Sequence, residues 1–356
     1  MTTKCMGEKM KIISIANQKG GCGKTTLAVN VAAALARLGS KTLLIDLDPQ
    51  AHATFALGYS KKSSERKTSY DIFRAHFDNT EVPFEEILIT DRKNFSFVPA
   101  NMMLSAAEIN LGGVNGAAAI LHKTLKNPFF DQYEYVIIDS PPSFGFLTLN
   151  SMYAADMILV PVDLSYFSFN GINSVYRVTS LLSAETGRDP SVFFVINIFD
   201  KRSNFAKQFE VDAKKKLGTY LLPTKIRSSV RLRETAKQGK TIFEYDPKCS
   251  AALDFYNLTS EILTADAKDI AEEMHEFRLH APHAGNVYVL GDFNGWQKTE
   301  ASRLSKLEDG RWSAHFNLAK GEYKYKFLVD GEWMSDPENS QMQTNIFGTA
   351  DSILKI

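Results

Sequence analysis

Residues 11–39 read KIISIANQKGGCGKTTLAVNVAAALARLG, and this stretch decides the fold. KIISIAN (11–17) is a short apolar run of strand length, and TTLAVNVAAALARLG (25–39) reads as a helix. Between them stand Gln18, Lys19, Gly20, Gly21, Cys22, Gly23, Lys24, Thr25 and Thr26. Glycines let backbone N–H groups close around a polyphosphate, and the start of the helix adds its positive end. Lys24 can reach the β- and γ-phosphates, and the Thr25 hydroxyl can bind Mg²⁺. The general GxxxxGK[ST] pattern asks for glycine at 18, whereas this chain has Gln18 and places a second lysine at 19.

Further apolar runs follow at KTLLIDLD (41–48), YEYVIID (133–139), DMILVPVD (156–163) and VFFVINIF (192–199), separated by helical stretches. Runs this apolar suit strands buried on both faces. The expected fold is α/β, a doubly wound and mostly parallel sheet carrying the phosphate loop, followed by a small all-β sandwich. Asp46 and Asp48 close one strand and Asp139 closes another, at the sheet edge where ligands of open α/β folds bind. Residues two apart share one side of a strand, so Asp46 and Asp48 are both expected to face the nucleotide.

The segment KGGCGKTT (19–26) resembles the deviant Walker A motif of the ParA/MinD family of ATPases. LLIDLDPQAHAT (43–54) and YVIIDSPPS (135–143) resemble that family's next two signatures, and FVPANMMLSAAEINL (97–111) and VRLRETAKQGKTIFEYDPKCSAALDFYNL (230–258) extend the likeness. The resemblance covers residues 11–264 and implies an ATP- and Mg²⁺-dependent ATPase that forms a homodimer on ATP. It makes Lys19 the residue that crosses the dimer interface to the partner's nucleotide, as an arginine finger would. It makes Asp48 the residue that orients the attacking water, places Asp46, Asp139 and Thr25 around the metal, and sets Asn197 against adenine. At Arg227 the family usually has proline.

Net charge is zero over 356 residues, so the chain as a whole advertises no nucleic-acid or membrane partner. Cys5, Cys22 and Cys249 fit neither a disulfide framework nor a CxxC motif, nor do they supply the paired ligands of iron–sulfur relatives. Cys22 reads as a small filler of the loop. No apolar run approaches a membrane span, the N-terminus has no signal-peptide core, and the C-terminus reads as β rather than as an amphipathic membrane helix. A cytoplasmic protein is expected, with no membrane partner and no helix-turn-helix domain. Within 201–240, however, basic residues crowd together. Lys214, Lys215, Lys216, Arg231, Arg233, Lys237 and Lys240 are the candidates for sequence-independent DNA binding, usual for chromosomal ParA proteins, which would place the protein at the nucleoid.

The tail changes character. NVYVLGDF, RWSAHFNL and EYKYKFLVD alternate polar and apolar residues around Asn294-Gly295, Asp309-Gly310 and Asp330-Gly331, an all-β pattern with hairpin turns. The expected domains are 1–264 for the ATPase, 265–276 for a helical linker and 277–356 for the sandwich. GDFNGW (291–296) and GEYKYKFLVDGEWMSDPE (321–338) resemble the glycogen-binding domain of AMP-activated kinase β subunits. That likeness puts Trp296, Lys326 and Trp333 at sugar-contacting positions, with Phe347 in place of a leucine and Asp351 in place of an asparagine. Trp312 falls at a core position. The tail is expected either to bind an α-glucan such as glycogen or to dock onto protein. A ParB-like activating or cargo protein is the remaining expected partner, and a glycan-sensing ATPase without DNA binding is the third reading.

Overall fold

The structure is a computed structural model describing residues 10–59, 66–111, 114, 116–164, 168–265, 274–307, 309–318, 321–345 and 348–356. Seven strands form the main sheet: β1 (Lys11–Ile15), β2 (Thr42–Asp46), β3 (Ile89–Arg92), β4 (Phe95–Val98), β5 (Tyr135–Asp139), β6 (Met157–Val162) and β7 (Ser191–Ile196). Their order is β3-β4-β2-β5-β1-β6-β7, with only the β3–β4 pair antiparallel. The central strands are buried along nearly their whole length, as their unbroken apolar runs require.

Twelve helices are described: α1 (Lys24–Leu38), α2 (His52–Ala56), α3 (Ser69–Phe77), α4 (Phe84–Ile87), α5 (Leu104–Leu111), α6 (Ile120–Leu125), α7 (Phe146–Ala154), α8 (Ser168–Thr186), α9 (Asn204–Leu217), α10 (Val230–Gln238), α11 (Ile242–Tyr245) and α12 (Ser250–Thr264). α1 is alanine-rich and buried from Leu27 to Ala36, and it ends on Gly39 in the left-handed region. Among the described residues no helix is long and apolar enough to cross a membrane.

The tail is antiparallel β, as its alternation implies. β8 (Met274–His280), β10 (Ser305–Lys306) and β11 (Arg311–Asn317) make one sheet. β12 (Glu322–Val329) is the spine of the other, pairing with β9 (Val287–Gly291), β13 (Glu332–Met334) and β15 (Ala350–Lys355), and β15 pairs with the edge strand β14 (Met342–Thr344). Asp330 and Gly331 both adopt positive φ in the β12–β13 hairpin, the turn its Asp-Gly pair demands. Phe277, Val287, Val289, Trp312, Phe316, Tyr325 and Phe327 form the core between the sheets. Trp312 is 4% exposed and its indole N–H donates to the Ala281 carbonyl at 2.9 Å, so it is structural.

By packing, the chain divides into two compact units. One comprises Met1–Asp163, Arg177–Lys201 and Leu222–Ala265; the other joins Leu164–Tyr176 and Arg202–Leu221 to the tail. This partition differs from one drawn along the chain, because α9 packs on the tail sheet. Within that second unit the Lys216 ammonium lies 5.5 Å from the Phe316 ring, and Tyr176 stacks on His315 with centroids 4.6 Å apart. The expected helical linker falls mainly on 266–273, outside the described residues; what is described of it beyond Ala265 is strand β8.

Candidate functional site

The phosphate loop is built by backbone geometry. Gly21 and Gly23 have φ of 78° and 86°, and a Cβ on Gly23 would sit 2.4 Å from the Asn197 amide nitrogen. Only glycine fits there. α1 has no acidic residue in its first turn, so nothing of its own offsets the positive helix end that faces the loop. Lys24 is buried and arches back to donate to the Lys19 carbonyl at 3.0 Å. Lys19 is held elsewhere: its ammonium contacts the Asp163 carboxylate at 2.6 Å, and its N–H donates to Asn17 Oδ1 at 3.0 Å. Cys22 is buried with its thiol donating to the Lys19 carbonyl, and burial raises its pKa, which suits a filler rather than a thiolate.

Two buried carboxylates stand side by side, since Asp46 on β2 is in register with Asp139 on β5. Their surroundings differ. Asp46 accepts from the Asp48 N–H (3.0 Å) and from the Thr54 N–H (2.9 Å) and hydroxyl (2.8 Å). Burial pushes its pKa up to about 7, with the Thr54 bonds pulling the other way. Asp139 is fully buried, and among the described residues neither of its oxygens has a hydrogen-bond partner. Burial and the nearby Asp46 charge hold its carboxyl well above the usual range, while the Thr25 hydroxyl and Lys24 oppose this. An orphaned buried carboxylate beside a hydroxyl and a phosphate loop fits Mg²⁺, which takes few protein ligands and completes its shell with phosphate and water.

β2 stops at Asp46, and Asp48 lies two residues beyond that strand end. Asp48 caps the following turn, accepting from the Gln50 N–H at 2.9 Å, and it lines the cleft. Asn197 reaches the site through the loop: its amide donates to the Cys22 carbonyl at 2.8 Å and its oxygen accepts from the Ile198 N–H. The amide nitrogen expected at adenine is thus engaged in bracing the loop, and its oxygen is taken by the next residue's N–H.

The cleft, about 540 Å³, runs from Gly20, Gly21, Gly23 and Lys24–Thr26 past Asp48, His52 and Phe55 to Leu232, Thr235, Ala236 and Lys240. α10 therefore forms one wall and carries Arg231, Arg233 and Lys237 exposed. Arg231 pairs with Asp246. Lys214 and Lys215 are exposed on α9 in the other unit, Lys214 pairing with Glu210 at 2.8 Å. Lys216 is corrected as a surface cation: it is 1% exposed, and burial lowers its pKa to about 7. Arg227 is committed to Asp254, with Nη2 donating at 2.6 Å.

In the tail, Trp296 and Trp333 come together with centroids 6.1 Å apart and ring planes inclined at 55°. Trp333 is 53% exposed, and the Trp296 indole N–H donates to Asp292 at 3.0 Å. Lys326 and Asp351 do not present free polar groups beside them. Each is buried, they pair at 3.2 Å, and Lys326 also donates to the Thr349 hydroxyl at 2.6 Å. The Asp351 carboxylate thus supplies the buried counter-charge of Lys326. Phe347 lies outside the described residues.

Sequence reasoning missed Asp163, Thr54 and Asn17. Asp163 follows β6 at the same sheet edge as Asp139, so the strand-end rule applied to DMILVPVD points to it. Thr54 and Asn17 carry no such signal, because their roles rest on hydrogen bonds to Asp46 and to the Pro161 carbonyl.

Comparison with known proteins agrees with this geometry. A family model described as an AAA domain matches residues 10–190, and the glycogen recognition site of AMP-activated protein kinase matches 277–356. The sporulation initiation inhibitor protein Soj of Bacillus subtilis is 36% identical over 71% of this chain and 98% of its own length. The chromosome partitioning protein ParA of Caulobacter vibrioides is 31% identical over 72% of this chain and 95% of its own. Among solved structures, cobyrinic acid a,c-diamide synthase of Mycobacterium smegmatis with bound ATP analog and magnesium superposes with a TM-score of 0.61, at 25% identity over 72% of this chain and 95% of its own. The chain belongs to the ParA/Soj family of P-loop ATPases, with a glycogen-recognition-type domain at residues 277–356.

Proposed function

We propose that the chain is an ATP-driven positioning or partitioning switch at the nucleoid. ATP closes a homodimer, the dimer holds DNA without reading its sequence, and hydrolysis, stimulated by a ParB-like partner, releases it. The observation that carries this reading is the state of Lys19. It sits in the phosphate loop, is 30% exposed and is tethered to Asp163. A lysine so placed is available to stabilise charge on a second copy's nucleotide.

Within one copy, Lys24 gives up a backbone carbonyl to bind phosphate, and the loop N–H groups and the α1 N-terminus add to it. Thr25 and Asp139 would hold Mg²⁺, which neutralises charge across the phosphates when bound. Asp46 fixes the Asp48 N–H, and Asp48, whose Oδ2 lies 3.7 Å from His52 Nδ1, lines the cleft where its carboxylate would orient water. Asp48→Ala should therefore bind ATP, hydrolyse it about 100-fold more slowly and accumulate as a dimer. Light scattering that finds this variant monomeric in saturating Mg-ATP sinks the switch.

DNA contact falls to Arg231, Arg233, Lys237 and Lys240 on and after α10, and to Lys214 and Lys215 on α9. Absence of any mobility shift at low salt with ATP-locked protein would leave an ATPase that senses glycan and carries nothing on DNA. For the tail we propose α-glucan recognition, because two inclined indoles suit a curved chain of sugars better than a flat one. The buried Lys326–Asp351 pair favours the rival reading, a sandwich that docks onto protein. Retardation of the full chain in a glycogen gel separates the two.

A further inference from the structure

Two walls of the nucleotide cleft are short helices, α2 and α10. α2 has five residues, far below the length at which a helix is stable by itself. α10 buries only Thr235, so packing fixes it weakly. Their C-terminal ends meet. Gly58 and Gly239 follow α2 and α10 with φ of 89° and 67°, and a Cβ on Gly239 would lie 2.6 Å from the Gly58 Cα.

Arg92, at the end of β3, spans this contact. Its Nη2 donates to the Leu57 carbonyl and to the Gly239 carbonyl, both at 3.1 Å. Its Nη1 donates to the Tyr59 hydroxyl at 3.0 Å and to Asp91 at 3.3 Å, and its Nε to Glu244 at 3.0 Å. The side chain is only 19% exposed. The Nη2 amino group thus bridges the carbonyls that follow the two walls, while Nη1 and Nε are anchored on Tyr59, Asp91 and Glu244, a set of contacts that the single nitrogen of a lysine cannot make together.

We propose that Arg92 is a positioning residue that makes α2 and α10 move as one piece, so that the nucleotide state felt at Asp48 reaches the exposed arginines of α10. α2 starts four residues after Asp48, and its Thr54 holds Asp46, so this helix is joined directly to two carboxylates of the site. α10 turns Leu232, Thr235 and Ala236 to the same cleft while Arg231 and Arg233 face away from the core. The DNA half of the inference rests on the proposed function; the coupling of the two helices does not.

The test uses the full chain with duplex DNA in Mg-ATP and Mg-ADP, and mant-ATP for nucleotide affinity. In Arg92→Ala the ratio of DNA affinities between ATP and ADP should fall about tenfold, with nucleotide affinity changed less than about threefold. Arg92→Lys should fail to rescue it. Gly239→Ala, which pries the glycine contact apart and shifts the carbonyl that Arg92 holds while leaving the arginine itself in place, should behave alike. Folded Arg92→Ala and Gly239→Ala proteins that keep the parental ratio overturn the proposal, and rescue by Arg92→Lys does the same. Should the parent bind DNA in neither nucleotide, the DNA reading fails alone, and hydrogen exchange of α10 amides decides the coupling. ATP-dependent protection of α10 in the parent that is lost in Arg92→Ala supports it; protection unaffected by ATP, or equal in both proteins, overturns it.

Discussion

The phosphate loop and the aromatic platform of the tail both announce themselves by short motifs, but they keep to those motifs to different degrees. In the loop the motif lysine Lys24 rests on a backbone carbonyl, a neutral partner that a phosphate displaces easily. In the tail the motif lysine Lys326 rests on a buried carboxylate, which no sugar hydroxyl displaces. The difference lies in what makes each site. A phosphate loop is made of backbone and glycine, so its geometry travels with the local sequence. The aromatic pair and its neighbours in the tail are side chains from separate segments, so their arrangement depends on partners such as Asp351 that lie apart in sequence.

The largest expected effect tests that dependence directly. Asp351→Asn leaves a buried lysine without its counter-charge and should destabilise the protein by about 3–5 kcal/mol in urea titration. A change under about 0.5 kcal/mol would mean that Lys326 reaches solvent readily, and the contrast with Lys24 would collapse.

The tail's burial of ionisable groups predicts a pH effect of similar size. Burial pulls the His315 pKa down to about 4, with Glu276 acting against this. The unfolded chain takes up a proton near pH 6.5 while the folded one does not, so stability is full above about 6.5 and falls as pH drops toward 4. The loss should approach about 3 kcal/mol, and His315→Gln should flatten it in denaturation curves recorded between those pH values.

Lys24→Ala should weaken ATP binding about 100-fold by calorimetry without loss of fold, since it removes one charge-assisted contact of about 2–3 kcal/mol. Binding that survives would make the loop as dependent on side chains elsewhere as the platform is. The smallest effect on stability belongs to Trp333→Ala, an exposed site, where the change should stay within about 0.5 kcal/mol. The same variant should lose its retardation in a glycogen gel. Retention of that retardation would take the platform out of the site.

The sequence by itself settled the parallel sheet, the loop between β1 and α1, the β nature of the tail and its hairpins. These follow from apolar runs, glycine positions and alternation, all of which act within about 10–20 residues. Tertiary structure alone decided that Asp46 serves Thr54 and Asp48, that Asp139 is left orphaned, that Asn197 braces the loop and that Lys216 is buried. It also brought Arg92 to Leu57 and Gly239, residues 35 and 147 positions away. The physical reason is common to all of these: a polar side chain in a low-dielectric interior takes whichever partner the packed elements bring within 3 Å or so, and no local pattern records that choice.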